Sequence, residues 1–153
     1  MKLLSAVLLF ALAVAAIAQP EPAGLRKEME RFYERWDRAI EGGSMHQILG
    51  MVEPDFYQVD QQGKRIDING FDDWMKSMVK AGEVNSNTTI LNVRQSSNEA
   101  IVWMKNVTTW GPNKMVKTRK IAHTLRKTPS GWKVYYSQIL PDNETWGPPP
   151  GRK

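Results

Sequence analysis

Residues 100–140, AIVWMKNVTTWGPNKMVKTRKIAHTLRKTPSGWKVYYSQIL, decide the fold. Ala100 to Trp110, Met115 to Leu125 and Trp132 to Leu140 are rich in β-branched and aromatic residues, which favour strands. Gly111-Pro112-Asn113 and Pro129-Ser130-Gly131 separate them as turns. Three long consecutive strands on short loops imply a curved, antiparallel sheet. Thr88 to Val93 reads as one more strand ahead of them, with Asn98 between.

Upstream the period changes. Leu25, Met29, Phe32, Trp36 and Ile40 recur at three- and four-residue steps, one face of a long helix. Glu28, Arg31, Glu34 and Arg38 form its solvated face. Gly42-Gly43 stops it. Ser44 with Gln47 reads as a capping box for a short helix with stripe Met45, Ile48, Leu49 and Val52. Phe56 to Val59, the turn Asp60-Gln61-Gln62-Gly63 and Lys64 to Asp67 read as a hairpin. Asn69 with Asp72 reads as the cap of a third helix, with buried stripe Phe71, Trp74, Met75, Met78 and Val79. Helices that precede a run of strands argue α+β, with three N-terminal helices packed on the sheet.

The chain has 153 residues, a formal net charge of +5 and no cysteine. That length is one domain. A disulfide scaffold, a thiol enzyme and a cysteine-built zinc site are excluded. Residues 1–18, MKLLSAVLLFALAVAAIA, combine a charged Lys2, an apolar run and Ala16-Ile17-Ala18, the pattern of a signal peptide cleaved before Gln19. The expectation is a secreted or periplasmic protein with no stable membrane insertion after cleavage. Residues 24–140 are the folded domain. Residues 141–153, PDNETWGPPPGRK, read as a Pro-rich tail that forms no element of its own, with Trp146 able to dock it back.

The order of elements resembles the nuclear transport factor 2-like superfamily, in particular its SnoaL-like bacterial branch. Ala39 to Ser44, Pro54 to Gly63 and Gly131 to Gln138 carry the resemblance, which spans about residues 24–140. It implies a cone-like fold, in which a bent sheet wraps the long helix and leaves a pocket at the open end. Relatives include isomerases, cyclases, dehydratases, transport adaptors and association domains, so the fold does not settle function.

The resemblance puts a general base at Asp60. A carboxylate beside an apolar pocket is desolvated and can take a proton from carbon. The plainer reading is that Asp60 opens the hairpin turn. The isomerase's oxyanion donors fall at Trp36, a far weaker acid than a phenol, and at Ala122, which has no donor. Where relatives commonly carry a histidine stands Gln138, which cannot transfer protons. His123 could pair with Asp60 as acid or base, or sit as a partly buried strand histidine. Period two puts Trp132, Val134, Tyr136 and Gln138 on one face. Trp36, Trp74, Trp103, Tyr136, Gln138 and Arg119 are the expected ligand contacts.

Lys114, Lys117, Arg119, Lys120, Arg126 and Lys127 form a basic stretch. It could attract an anion, or it could be a solvated strand. No aromatic residues interleave it, so a nucleic-acid partner is not expected. The two histidines lack metal-ligand spacing, and neither a metal nor a cofactor is expected. The first expectation is therefore an exported domain binding a small, mainly apolar molecule. A proton-transfer enzyme using Asp60 and His123 and a dimerisation module are the alternatives. As in many relatives, a homodimer through the sheet is expected.

Overall fold

The computed structural model describes residues 21–141 and the backbone of 145–147. The signal peptide read at 1–18 lies outside the described residues, as does most of the tail. Helix α1 (Leu25–Glu41) buries the whole expected stripe together with Tyr33 and Ala39. It ends in a Schellman turn: the Ser44 N–H donates to Ala39 O at 2.9 Å and the Gly43 N–H to Ile40 O at 3.1 Å. Gly43 sits at φ 60°, and a Cβ there would meet Val79 Cγ2 at 2.8 Å. A glycine at 43 thus permits both the turn and the approach of the third helix.

Helix α2 (Met45–Leu49) is capped by Ser44, whose Oγ accepts the Gln47 N–H at 3.4 Å. Helix α3 (Ile68–Ala81) is capped two residues earlier than the sequence suggests. Asp67 Oδ1, not Asn69, accepts the Gly70 N–H at 3.0 Å. Phe71, Met75 and Met78 are buried as expected, while Leu49 of α2 and Val79 of α3 are 51% and 41% exposed.

Strands β1 (Val52–Val59), β2 (Arg65–Asp67), β3 (Val84–Ser96), β4 (Glu99–Trp110), β5 (Met115–Thr128) and β6 (Gly131–Ile139) lie in the order β2-β1-β6-β5-β4-β3. The fold is α+β, as expected, but the sheet is mixed. The β1–β6 pair is parallel; all other neighbours are antiparallel. Strand β1 starts before Phe56, and its ladder is interrupted between Val52 and Tyr57, around Pro54, which lacks an N–H. The tail supplies a short strand, β7 (Thr145–Gly147), paired with Val116 to Thr118 of β5. The core lies between α1, α3 and the concave sheet face. Among the described residues no helix is long and apolar enough to cross a membrane.

Candidate functional site

Alternation along β5 builds the floor of the cone. Lys117, Arg119, Ile121, His123 and Leu125 are all buried, each two residues from the next. Two of the six residues of the basic stretch, Lys117 and Arg119, are therefore inside the molecule rather than on a solvated strand. Arg119 is 5% exposed; its guanidinium lies 4.8 Å from the Trp74 ring centre and donates to Asn106 Oδ1 at 3.4 Å. Lys117 is 7% exposed.

Above Arg119 runs a buried polar network that the sequence reading missed. Asp37 of α1 accepts the Ser86 hydroxyl at 2.7 Å, the Thr88 hydroxyl at 2.9 Å and the Thr88 N–H at 2.7 Å. Glu41 accepts the Ser86 N–H at 3.0 Å. Asn106 donates to the hydroxyls of Ser86 and Thr88, and Thr108 donates to Asn106 Oδ1. Two helix carboxylates thus cover N–H groups of β3, the outermost strand, and close part of an edge that would otherwise be open. Burial raises the Asp37 carboxyl above its usual range, against the lowering effect of these hydrogen bonds. The signal in the sequence was the spacing Tyr33, Asp37, Glu41, one turn apart along the flank of the apolar stripe.

Two cavities result. The inner one, about 20 Å³, is lined by Trp36, Gln58, Asn106, Arg119 and His123 among others, and has room for about one water. The outer one, about 190 Å³, lies at the mouth and is lined by Gln58, Asp60, Ile66, Phe71, Trp74, Lys117, Arg119 and Ile139 among others. Gln58, Phe71, Trp74 and Arg119 line both.

His123 faces the inner cavity and is 3% exposed. Its Nδ1 lies 3.1 Å from the Tyr33 hydroxyl. Burial, then the Arg119 charge, push its pKa down to about 3, so the ring is neutral at physiological pH. Burial, reinforced by Asp37, raises the Tyr33 phenol well above its usual value. Asp60 stands at the outer mouth. Its Oδ1 accepts the N–H groups of Gln62 at 2.9 Å and Lys64 at 2.8 Å, the hydrogen bonding of a turn residue. The two residues read as an acid/base pair therefore line different cavities.

Of the residues expected as ligand contacts, Trp36 and Trp74 line cavity walls. Trp103, Tyr136 and Gln138 do not. Trp103 alternates with the buried Val102 and Met104 and turns to the outer sheet face, with Arg94 at 5.7 Å from its ring. On β6 the register slips between Val134 and Tyr136, where Tyr135 is an extra residue. The bulge inverts the alternation. Trp132 and Val134 point inward, but beyond the bulge Ser137 and Ile139 do, and Tyr136 and Gln138 face out. Ser137 donates to Gln58 Oε1 at 3.2 Å inside the cone. Tyr136 packs on Tyr57 at 5.2 Å on the outer face.

No protein-family model matches the chain, and no curated protein does. Solved structures do. An NTF2-like protein of unknown function in nutrient uptake from Rhodospirillum rubrum is 17% identical, with a TM-score of 0.62 over 73% of this chain and 96% of that one. An NTF2-like protein of unknown function from Pseudomonas putida is 14% identical, with a TM-score of 0.63 over 79% and 89%. A protein of unknown function with a cystatin-like fold from Nostoc punctiforme is 11% identical, with a TM-score of 0.63 over 82% and 98%. The fold is that of the nuclear transport factor 2-like, cystatin-like proteins.

Proposed function

We propose that this is an exported binding protein that holds a small, mainly apolar molecule at the mouth of the cone, without acid–base catalysis. The observation that carries this reading is the separation of Asp60 from His123. The imidazole is neutral, deep and bonded to Tyr33, while the carboxylate accepts two backbone N–H groups of its own turn. Ala122 offers no donor to an enolate, and Gln138 faces away from the cone. The water-sized inner cavity leaves the outer one as the place for a ligand, with Phe71, Trp74, Ile66 and Ile139 as its apolar walls. Native mass spectrometry of the exported protein tests the reading. A co-purified small molecule is expected, and a chain that binds nothing from a small-molecule library contradicts it.

A homodimer through the sheet is a second reading, favoured by the outer face. Half-buried Tyr57, Tyr136 and Trp103 lie there with Ile101, which is 37% exposed. An apolar face of this kind marks an interaction surface. Sedimentation of the protein and of Trp103→Glu tests it: a dimer that the substitution dissociates is expected, and a monomeric parent overturns it.

A further inference from the structure

We propose that strand β7 belongs to the ligand site: Trp146 completes the wall of the mouth cavity and contacts a single-ring aromatic ligand held there. The inference rests on the reading of this cavity as the ligand site and names a further contact and the class of ligand. The strand ladder carries it. Strand β6 accompanies β5 only as far as the pairing of Ile139 with Ile121. Strand β4 occupies the other edge of β5 from Met115 to Arg126. The edge that β6 leaves at Val116 to Thr118 is taken by β7, antiparallel, with Trp146 opposite Lys117. Strand β7 therefore continues the line of β6 across the mouth.

Residues directly opposite on antiparallel strands share a face of the sheet. Lys117 lines the mouth cavity and alternates with Arg119, Ile121 and His123 on the cone face. Its register partner, position 146, thus belongs to the cone face, next to a cavity already walled by Ile66, Phe71, Trp74 and Ile139. The start of the tail is fixed beside that cavity. The Leu140 N–H donates to Lys120 O at 2.9 Å, and Gln61 Nε2, in the turn that Asp60 opens, donates to Leu140 O at 3.1 Å. Size and wall chemistry give the ligand class. The cavity holds about 190 Å³, and an apolar cavity of about 150 Å³ accommodates benzene. Phe71 and Trp74 lie 5.3 Å apart at 51° to one another. Such rings favour edge-on and offset contacts with a third ring, which an aliphatic molecule of the same size cannot make.

The probes are toluene and its saturated counterpart methylcyclohexane, titrated into the protein and followed by NMR. Cross-relaxation from toluene to the indole protons of both Trp74 and Trp146 is expected. Toluene should bind about two- to tenfold more tightly than methylcyclohexane, the value of an aromatic contact beyond its area. Trp146→Ala should remove that preference and Trp146→Phe should restore most of it, with the Phe71–Trp74 contact as the check that each variant is folded. Toluene should also slow amide exchange at residues 145–147, because a ligand that touches β7 stabilises its docking. Contact with Trp74 but not with Trp146, or equal affinity for the two probes, overturns the inference and leaves the ligand-binding reading standing. Tighter toluene binding by Trp146→Ala also overturns it, since the indole then fills the cavity instead of lining it. If toluene does not bind at the mouth the inference falls, and the native mass spectrum decides the broader reading separately.

Discussion

The Tyr33 hydroxyl lies 3.1 Å from Nδ1 of His123, tying the middle of α1 to the floor strand β5 across 90 residues of sequence. Trp36 packs edge-on against the same imidazole at 5.4 Å. The histidine is thus enclosed on its helix side by two aromatic rings, with the Arg119 charge four residues away on its own strand. A neutral ring fits this place and a cationic one does not.

Stability should therefore depend on pH in a defined window. The unfolded imidazole titrates near 6.5, the folded one at about 3. Between these values the unfolded state binds a proton that the native state refuses. Stability from this group is fully present above about pH 6.5 and is lost as pH falls toward 3, at up to about 1.4 kcal/mol per pH unit. Urea unfolding of the protein and of His123→Gln from pH 7 to pH 4 checks this. The variant keeps a partner for Tyr33 and should lack that part of the slope.

Asp60 should behave as a turn residue. Asp60→Asn retains an oxygen for the Gln62 and Lys64 N–H groups and should cost under about 0.5 kcal/mol. Asp60→Ala leaves both donors without it and should cost about 1–2 kcal/mol. Denaturant midpoints of the two variants measure the difference.

Trp36→Ala should be among the most damaging single substitutions. The side chain is buried between Phe32, Phe71 and His123, and deleting a large buried aromatic costs about 3–5 kcal/mol. A loss below about 1 kcal/mol would place Trp36 at the surface.

Asp37→Ala should unfasten β3 from α1. It removes the acceptor for two hydroxyls and one backbone N–H, a loss of about 3 kcal/mol or more. Hydrogen exchange should quicken at the Thr88 amide, which donates to Asp37 at 2.7 Å.

The helices were legible because an amphipathic period survives any tertiary detail. Leu25 to Ile40 all fell inside as spaced. The outer ends of the stripes failed at Leu49 and Val79, where no element packs over them closely enough to bury them. The cavity walls were legible only in part. Period two correctly aligned Trp132 with Val134, but it cannot foresee an inserted residue, and Tyr135 reverses the faces beyond it. That one bulge removes Tyr136 and Gln138 from the cone and puts Ser137 there. The basic stretch was legible only at Arg119, expected at the pocket. Lys117 keeps strict alternation with Arg119, Ile121, His123 and Leu125, but its charge left a solvated strand open as a reading. The parallel β1–β6 pair depends on contact between segments about 80 residues apart, which no local pattern records.

The proposed ligand sits at the mouth, beside Trp74 and Arg119, and not at His123. Side-chain NMR of the protein during titration with a small apolar aromatic probe, toluene, is the measurement that decides it. The Trp74 indole and Arg119 guanidinium signals should shift saturably with a common affinity, while the His123 ring signals stay in place and the ring stays neutral. Saturable shifts at His123 and Trp36 with Trp74 unmoved would contradict the account and return the inner cavity to consideration as a catalytic site.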